Sequence, residues 1–296
     1  MRLGLIFVRR VAQPSIRVLC LGTFLAACLL PGCDPTAKQL AALSNQGVEA
    51  LETSDYRRAA GFFEQALKLS PNDADARYYL GFIALREKEP AKAIKQLKVA
   101  VVADPLRPDG HLNLARALYE NKQPDDAVFA LKGLFMLDPG HPNGHLLAAR
   151  VAVEGKNRKV ADQALRAAIQ GDAGFAPGYL LLGQLYGEVG AHDAARQVLE
   201  EGLRFVPDSV ELQEALGLAW LDLGRADRAR TVLDKAAQHL RARPQLYLNQ
   251  AAALLQVGER EAAMLALRTY LLQSQGTGDD KTQEMAAKVL LKLRNR

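Results

Sequence analysis

Three histidines are, by residue type, the side chains best suited to hold a metal ion. His111 and His145 lie 34 residues apart, and His141 lies in the turn-forming segment 140–144. Metal sites usually take their ligands from closely spaced pairs, so this spacing favours packing roles for the histidines. No glycine-rich phosphate loop and no pairing of a nucleophile with a base stands out in the sequence. We therefore predict a protein that is not an enzyme and that takes no metal, cofactor or small-molecule substrate.

A second possible chemistry is the acylation of a cysteine. Residues 1–32 contain four arginines and no acidic residue, and they include a 13-residue apolar run, 18–30. That length suits the core of a signal peptide, whereas a membrane span needs about 20 residues. The run leads into Leu30-Pro31-Gly32-Cys33, which resembles a bacterial lipobox. The resemblance implies that residues 1–32 are a lipoprotein signal peptide and that Cys33 is lipidated. The alternative is an ordinary cysteine in a simple secretory signal.

Removal of this segment changes the charge and the cysteine content of the chain. The whole chain has 38 Lys+Arg against 33 Asp+Glu, so the loss of four arginines leaves 34 against 33, a net charge of +1. This balance lacks the basic excess of nucleic-acid-binding proteins, and we predict no nucleic-acid partner. Cys20 and Cys28 would also be removed, which leaves Cys33 alone and rules out a disulfide within the mature chain.

The rest of the chain repeats itself every 34 residues, a period typical of stacked helical repeats. Within one cycle, Tyr179, Leu182 and Tyr186 recur at helical spacing, and Gly190 then interrupts the run. A second apolar helix follows and ends at Pro207. An alanine marks the start of this second helix in seven successive cycles: Ala59, Ala93, Ala127, Ala161, Ala195, Ala229 and Ala263.

The repeat resembles the tetratricopeptide repeat, whose pattern has Leu-Gly at positions 7 and 8, alanine at 20 and 27, a large residue at 24 and proline at 32. The second cycle carries this pattern as Leu80, Gly81, Ala93, Leu97, Ala100 and Pro105. Ala115, Ala149 and Ala251 replace the glycine in three other cycles. The resemblance implies an all-α fold, a right-handed superhelical solenoid of seven helix pairs over residues 40–275. The repeats start at Leu40, Ala74, Pro108, Pro142, Ala176, Val210 and Pro244.

The two ends of the repeat array have separate predicted roles. Residues 276–296 contain one more amphipathic helix, which we predict to cap the apolar face that a terminal repeat exposes. At the other end, residues 33–39 form the lipidated cysteine and a tether. Six residues extend at most about 20 Å, so the first repeats would lie close to the bilayer.

The first helix of each pair lines the concave side of such a solenoid, where a protein partner would bind. We predict that positions 2, 5, 9, 12 and 13 of each repeat face this groove. Arg116 and Arg150 at position 9 are expected to pair with acidic residues four positions later, whereas Glu188 and Asp222 have no cation at position 9. The alternative for the apolar residues is burial by neighbouring repeats. The predicted partner-binding residues are Tyr78, Leu112, Arg116, Leu146, Arg150, Leu180, Glu188 and Asp222.

These features together suggest a non-catalytic scaffold, lipid-anchored to the bacterial cell membrane or outer membrane and facing the periplasm. By resemblance to lipoproteins of this architecture, it would serve an envelope assembly or secretion complex, as pilotins and export components do. The alternative is an accessory subunit that activates or positions a cell-envelope enzyme such as a peptidoglycan hydrolase or synthase.

Overall fold

A computed structural model describes residues 35–239, 243–275 and 280–294, and all regular secondary structure in these ranges is α-helical. The prediction of an all-α fold of seven helix pairs followed by a C-terminal helix is confirmed. The predicted signal peptide 1–32 and Cys33 lie outside the described residues. The first helix begins at Pro35, upstream of the predicted repeat start at Leu40.

The chain divides into two compact units, one ending at Gly110 and the other beginning at His111. Unit 1 contains α1 (Pro35–Glu52), α2 (Tyr56–Leu69), α3 (Ala74–Arg86) and α4 (Pro90–Ala103), and α5 (Pro108–Glu120) crosses the boundary. Unit 2 continues with α6 (Pro124–Leu137), α7 (Pro142–Glu154), α8 (Arg158–Gly171), α9 (Ala176–Glu188), α10 (His192–Phe205), α11 (Val210–Asp222), α12 (Ala226–Ala237), α13 (Pro244–Gln256), α14 (Arg260–Gln273) and α15 (Asp280–Arg294).

Local sequence signals explain where the helices begin. Proline occupies the first turn of α4, α6, α7, α9 and α13, where its missing N–H costs no hydrogen bond. Other helices start at a side-chain cap: Asp73 accepts from the backbone N–H of Ala76, and Ser209 accepts from that of Leu212. The residue before the first helix of a repeat therefore often fixes where that helix begins.

The turn inside each repeat requires one residue in the left-handed region. Gly190, Gly224 and Gly258 adopt φ between 67° and 83° in the last three of these turns. Ser54, Lys88, Lys122 and Lys156 hold the same position in the first four turns, with φ between 58° and 61°. This conformation is costly for residues other than glycine, so the turn geometry is imposed by the two helices that it joins.

The two helices of a repeat pack through a small residue on the first and a large residue on the second. A Cβ atom at Gly81 would lie 2.4 Å from Cγ of Leu97, and one at Gly217 would lie 2.5 Å from Cγ of Leu233. At Gly183 the corresponding distance to Cγ of Leu199 is 2.9 Å, so this glycine has the same packing role. Leu97 and Leu233 are fully buried in these contacts.

Each unit has its own apolar interior. In unit 1, α1, α2 and α3 enclose Phe63, with Ala59, Ala66 and Ala76 fully buried around it. In unit 2 the largest cluster extends through successive repeats from Leu146 to Ala253. A smaller cluster joins α13, α14 and α15, where Ala286 is buried and Leu290 and Leu293 cover the last repeat.

We expect Gly217→Ala to lower the free energy of unfolding by about 1–2 kcal/mol, because overpacking against Leu233 outweighs the gain in helix propensity. Gly61 is the matched control, since it lies inside α2 and a Cβ there would meet nothing within 4 Å. Gly61→Ala should raise stability by about 0.5–1 kcal/mol. Urea unfolding followed by far-UV circular dichroism measures both changes. Equal stabilisation by the two substitutions would show that the contact between Gly217 and Leu233 is not close.

Candidate functional site

The predicted binding residues lie on the first helices of the repeats, which also contact one another in unit 2. In that unit α7 packs beside α9, α9 beside α11, and α11 beside α13. Residues four apart on these helices share a face, so positions 5, 9 and 13 follow one another along each helix. The structure shows large differences in exposure among these three positions.

Position 5 of unit 2 contributes mainly to the interior. Leu146 is only 8% exposed and belongs to the large cluster of unit 2, and Leu180 packs against the same cluster while remaining half-buried. Leu112 is also half-buried. The prediction that Leu146 faces an open groove is therefore wrong, because neighbouring helices cover it. A charged residue at position 146 would disturb the fold and would not probe binding cleanly.

Tyr78, the corresponding residue of unit 1, is held in a stack of charged and aromatic groups. The guanidinium of Arg107 lies 4.8 Å from the centre of its ring, and the Tyr79 ring meets it edge-on at 5.1 Å between centroids. Arg107 also forms ion pairs with Asp75 and, at 3.1 Å, with Asp104. Burial alone would lower the pKa of Arg107, but these two carboxylates raise the pKa above its ordinary value. Tyr78 is thus part of an intramolecular contact.

The charged residues of positions 9 and 13 remain on the surface of unit 2. Arg116 Nε lies 2.8 Å from Oε1 of Glu120, as the spacing of four residues predicts. Glu154 differs: it pairs with Lys122 Nζ at 3.2 Å and leaves Arg150 without an ion pair in the described part of the chain. Lys122 reaches Glu154 from the left-handed turn of the preceding repeat, a contact that the predicted pairing with Arg150 overlooked.

The same carboxylate affects Tyr119. Burial, and then the hydrogen bond to Glu154, raise the pKa of the Tyr119 hydroxyl above its usual range. Glu154 therefore has two neighbours from the preceding repeat. Like Glu120, Glu154 therefore has its negative charge paired with a cation of the same chain.

Glu188 and Asp222 have only weak partners. Glu188 accepts a hydrogen bond of 3.2 Å from the neutral amide of Gln184, and Asp222 Oδ2 lies 3.3 Å from Nδ1 of His192. His192 is the first residue of α10, and its contact with Asp222 is an ion pair only when the imidazole is protonated. The Asp222 side chain remains 54% exposed. Neither acid faces a lysine or arginine within the described residues.

An exposed leucine lies on the same helix face as Asp222. Leu218 is 41% exposed and precedes Asp222 by one helical turn on α11. We call Gln184, Glu188, Leu218 and Asp222 the acidic face; its first two members lie on α9 and its last two on α11. It combines two carboxylates that lack strong partners with one apolar side chain, which suits contact with a basic and apolar ligand.

A second surface feature is a cleft of about 380 Å³ between α8 and α9. Tyr186 lies in this cleft, donates a hydrogen bond of 2.5 Å to Asp162 and accepts one of 2.7 Å from Arg166. Burial and the hydrogen bond to Asp162 raise the pKa of Tyr186. These three side chains satisfy one another and tie the fourth repeat to the fifth, so the network has a structural role.

The histidines have local roles in helix geometry and packing. His141 Nδ1 accepts from the backbone N–H of Gly144 and caps α7. His145 forms a hydrogen bond of 2.8 Å with the carbonyl oxygen of Pro139 and stacks on Phe135, with 4.3 Å between ring centroids. Among the residues that the structure describes, no group of three or more His, Cys, Asp or Glu side chains is placed to hold a metal ion.

None of the helices in the described ranges combines the length and the apolar character needed to cross a bilayer.

Sequence reasoning missed Arg107, Lys122 and His192, which decide how the predicted site residues are paired. Arg107 and Arg243 occupy the same place in their repeats, directly before the next first helix, and both reach a carboxylate of the preceding first helix. Arg243 pairs with the buried Glu214 at 2.6 Å, and Asn249 donates to the same carboxylate at 3.1 Å. The repeat position that Arg107 and Arg243 share is the signal in the sequence that could have indicated their contacts with these carboxylates.

Three family models described as tetratricopeptide repeats match the chain, at residues 44–108, 84–151 and 151–282. No curated protein matches its sequence significantly. Among solved structures, a tetratricopeptide repeat protein from Parabacteroides merdae is 17% identical, with a TM-score of 0.60 over 88% of this chain and 100% of its own. PilW, described as a widely conserved type IV pilus biogenesis factor, is 17% identical, with a TM-score of 0.58 over 66% of this chain and 91% of its own. These likenesses show the fold.

We expect Arg107→Met to destabilise unit 1 by about 1–3 kcal/mol, because it leaves Asp75 and Asp104 without their cation and removes the contact with Tyr78. Arg107→Lys keeps the charge and should recover only part of this loss, since an ammonium cannot bind two carboxylates and stack as a guanidinium does. Hydrogen exchange of Ala74–Arg86 measures the effect. Unchanged exchange in Arg107→Met would contradict a stabilising role for this stack.

Proposed function

Because the chain belongs to the tetratricopeptide repeat family, we propose that it is a non-catalytic scaffold that binds a protein partner along the first helices of unit 2. We further propose that a lipidated Cys33 holds it at the periplasmic face of a bacterial membrane, where it serves an envelope assembly or secretion complex. The match of the family models to residues 44–282 supports the binding role, since repeats of this kind mediate protein–protein contacts.

The acidic face is the observation that carries the proposed binding role. Elsewhere along the first helices of unit 2, Glu120 is paired with Arg116, and Glu154 with Lys122. At Glu188 and Asp222 the negative charge has only a neutral amide and an imidazole as neighbours. A partner segment with a basic residue beside an apolar one would pair with these carboxylates and cover Leu218.

The proposed membrane anchor rests on the sequence. The apolar run 18–30 ends at the lipobox-like residues that precede Cys33. The described fold begins at Pro35, which leaves only Asp34 between the acylated residue and α1. The likeness in fold to PilW supports an envelope role, because that protein is described as a pilus biogenesis factor.

The binding role predicts that the chain lacking residues 1–33 captures a partner through the acidic face. We expect Glu188→Lys/Asp222→Lys to weaken the captured complex by at least about tenfold, or 1.4 kcal/mol. The matched control is Glu120→Lys/Glu154→Lys, which makes the same change of charge at acids that are already paired and should cost less than about threefold. Added salt should reduce the difference, because exposed charges are screened.

Circular dichroism of each variant serves as the folding control for this measurement. Full binding by folded Glu188→Lys/Asp222→Lys would contradict the proposal. The same conclusion would follow if Gln197→Lys/Glu201→Lys, on the exposed side of the second helix α10, abolished binding instead.

The anchor predicts that Cys33→Ala abolishes labelling of the full-length protein by a clickable fatty acid and releases it from the membrane fraction. Acylation at this residue is the only lipid attachment that the proposal uses. Cys28→Ala is the control and should leave labelling unchanged, since Cys28 lies inside the apolar run that is removed. Undiminished labelling of Cys33→Ala would overturn the anchor.

A further inference from the structure

We propose that the cleft between α8 and α9 binds a carboxylate group, together with the apolar side chain beside it, from a peptide segment of a protein partner. Two cations, two apolar residues and a hydrogen-bonded pair of a tyrosine and an aspartate line this cleft, which we call the lateral cleft. It shares no residue with the acidic face. Its main lining residues are Arg158, Lys159, Asp162, Leu185, Tyr186 and Val189.

Two cations at the start of α8 supply the positive charge of the lateral cleft. Arg158 and Lys159 are the first two residues of this helix, both are exposed, and neither forms an ion pair with any described residue. The same two positions of the other six repeats carry at most one lysine or arginine, as at Arg57 and Arg260. Cations are unfavourable in the first turn of a helix, where the helix dipole is positive. The stability of α8 therefore does not explain this pair.

The acid that lines the lateral cleft is already neutralised. Asp162 Oδ2 lies 3.0 Å from Nε of Arg166, and its other carboxylate oxygen accepts the hydrogen bond from Tyr186. This carboxylate therefore has its own cation outside the pair that begins α8. Among the residues that line the cleft, the charge that remains for a ligand is positive.

The acids of neighbouring helices also leave the two cations of α8 unpaired. Asp125 and Asp126 lie in the first turn of α6, a helix that does not line the cleft. Asp193, in the first turn of α10, pairs with Arg196 at 2.9 Å. Glu188, at the end of α9, accepts its hydrogen bond from the preceding turn of its own helix, within the acidic face. None of these four acids forms an ion pair with α8 in the described part of the chain.

The lateral cleft is open where the equivalent place in the next repeat holds a larger side chain. Trp220 has the repeat position on α11 that Tyr186 has on α9, and the guanidinium of Arg196 lies over its ring, 5.2 Å from the ring centre. Tyr186 is smaller, and its hydroxyl is held by its two polar neighbours. A volume of about 380 Å³ remains beside it. Val189, which is 49% exposed, and the buried Leu185 give this volume an apolar wall.

Cations beside an apolar wall fit a carboxylate beside an apolar side chain. A guanidinium binds a carboxylate through two parallel hydrogen bonds, and a neighbouring ammonium adds another charged donor. Ligand pockets have volumes of roughly 300–1,000 Å³, so the lateral cleft has room for one or two residues of a peptide and not for a whole helix. A basic segment would be repelled. The C-terminus of a peptide and the side chain of an internal aspartate offer the same chemical group.

The test titrates three N-acetylated peptides into the chain from Asp34 onward, which retains every described helix, and measures binding by isothermal titration calorimetry. The first peptide is Gly-Ser-Gly-Leu-Phe with a free C-terminus, the second is the same peptide amidated, and the third is amidated Gly-Ser-Asp-Leu-Phe. We expect at least one of the two peptides with a carboxylate to bind about tenfold more tightly than the peptide without one, because charge-assisted hydrogen bonds are lost in the latter. The tighter of the two identifies the source of the carboxylate.

Variants of the lateral cleft test which residues bind that peptide. Arg158→Gln/Lys159→Gln should lower its affinity by at least about tenfold without lowering the Tm, since cations in the first turn of a helix do not stabilise it. Val189→Asp places a competing carboxylate beside the two cations and should also weaken binding. The matched control is Lys132→Gln/Lys281→Gln, which removes two exposed cations without ion pairs from α6 and α15. It should change the affinity by less than about threefold.

Three results would overturn the inference. These are equal affinity for the peptides with and without a carboxylate, no detectable binding of either peptide with a carboxylate, and unchanged binding by folded Arg158→Gln/Lys159→Gln. Circular dichroism establishes that each variant is folded. The test of the acidic face changes Glu188 and Asp222, which do not line the lateral cleft, so a negative result here leaves the proposed function standing.

Discussion

The close approach of the two helices within each repeat is the constraint on which the rest of the structure depends. A small residue on the first helix receives a large side chain from the second, as Gly81 receives Leu97 and Gly217 receives Leu233. Ala115, Ala149 and Ala251 fill the same position in other repeats, so the spacing between helices there accommodates a methyl group. This contact sets the distance between the two helices of a repeat, and the remaining faces of the helices are left for contacts between repeats.

The contacts between repeats are more varied because they depend on short loops. Where Asp73, His141 or Ser209 precedes a first helix, its side chain caps that helix. Where Arg107 or Arg243 stands at the same place, the side chain instead turns back to a carboxylate of the preceding first helix. The buried Glu214 is an example of the second solution, since its charge is met by Arg243 and Asn249. One position in the repeat thus stabilises the array in two different ways.

The surfaces open to a ligand consist of side chains that are used neither within a repeat nor between repeats. On the first helices of unit 2, Glu120 and Glu154 form ion pairs with cations of the same chain. Glu188 and Asp222 lack a strong partner. The proposed protein contact therefore uses residues that the fold does not need.

The period of 34 residues, with its alanines and glycines, determined the helix pairs and their number, because one short pattern recurs with the same register along the chain. The apolar spacing after the last repeat determined the C-terminal helix. The exposed acids of position 13 could also be read from that register, since residues four apart share a helix face. Only the tertiary structure decided that Leu146 is buried, that Arg107 covers Tyr78 and that Glu154 pairs with Lys122. The contacts of Arg107 with Tyr78 and of Lys122 with Glu154 join residues that are 29 and 32 positions apart in the chain. Each contact joins a loop to a helix, where the path of a long side chain depends on the distances between packed helices and leaves no periodic trace in the sequence.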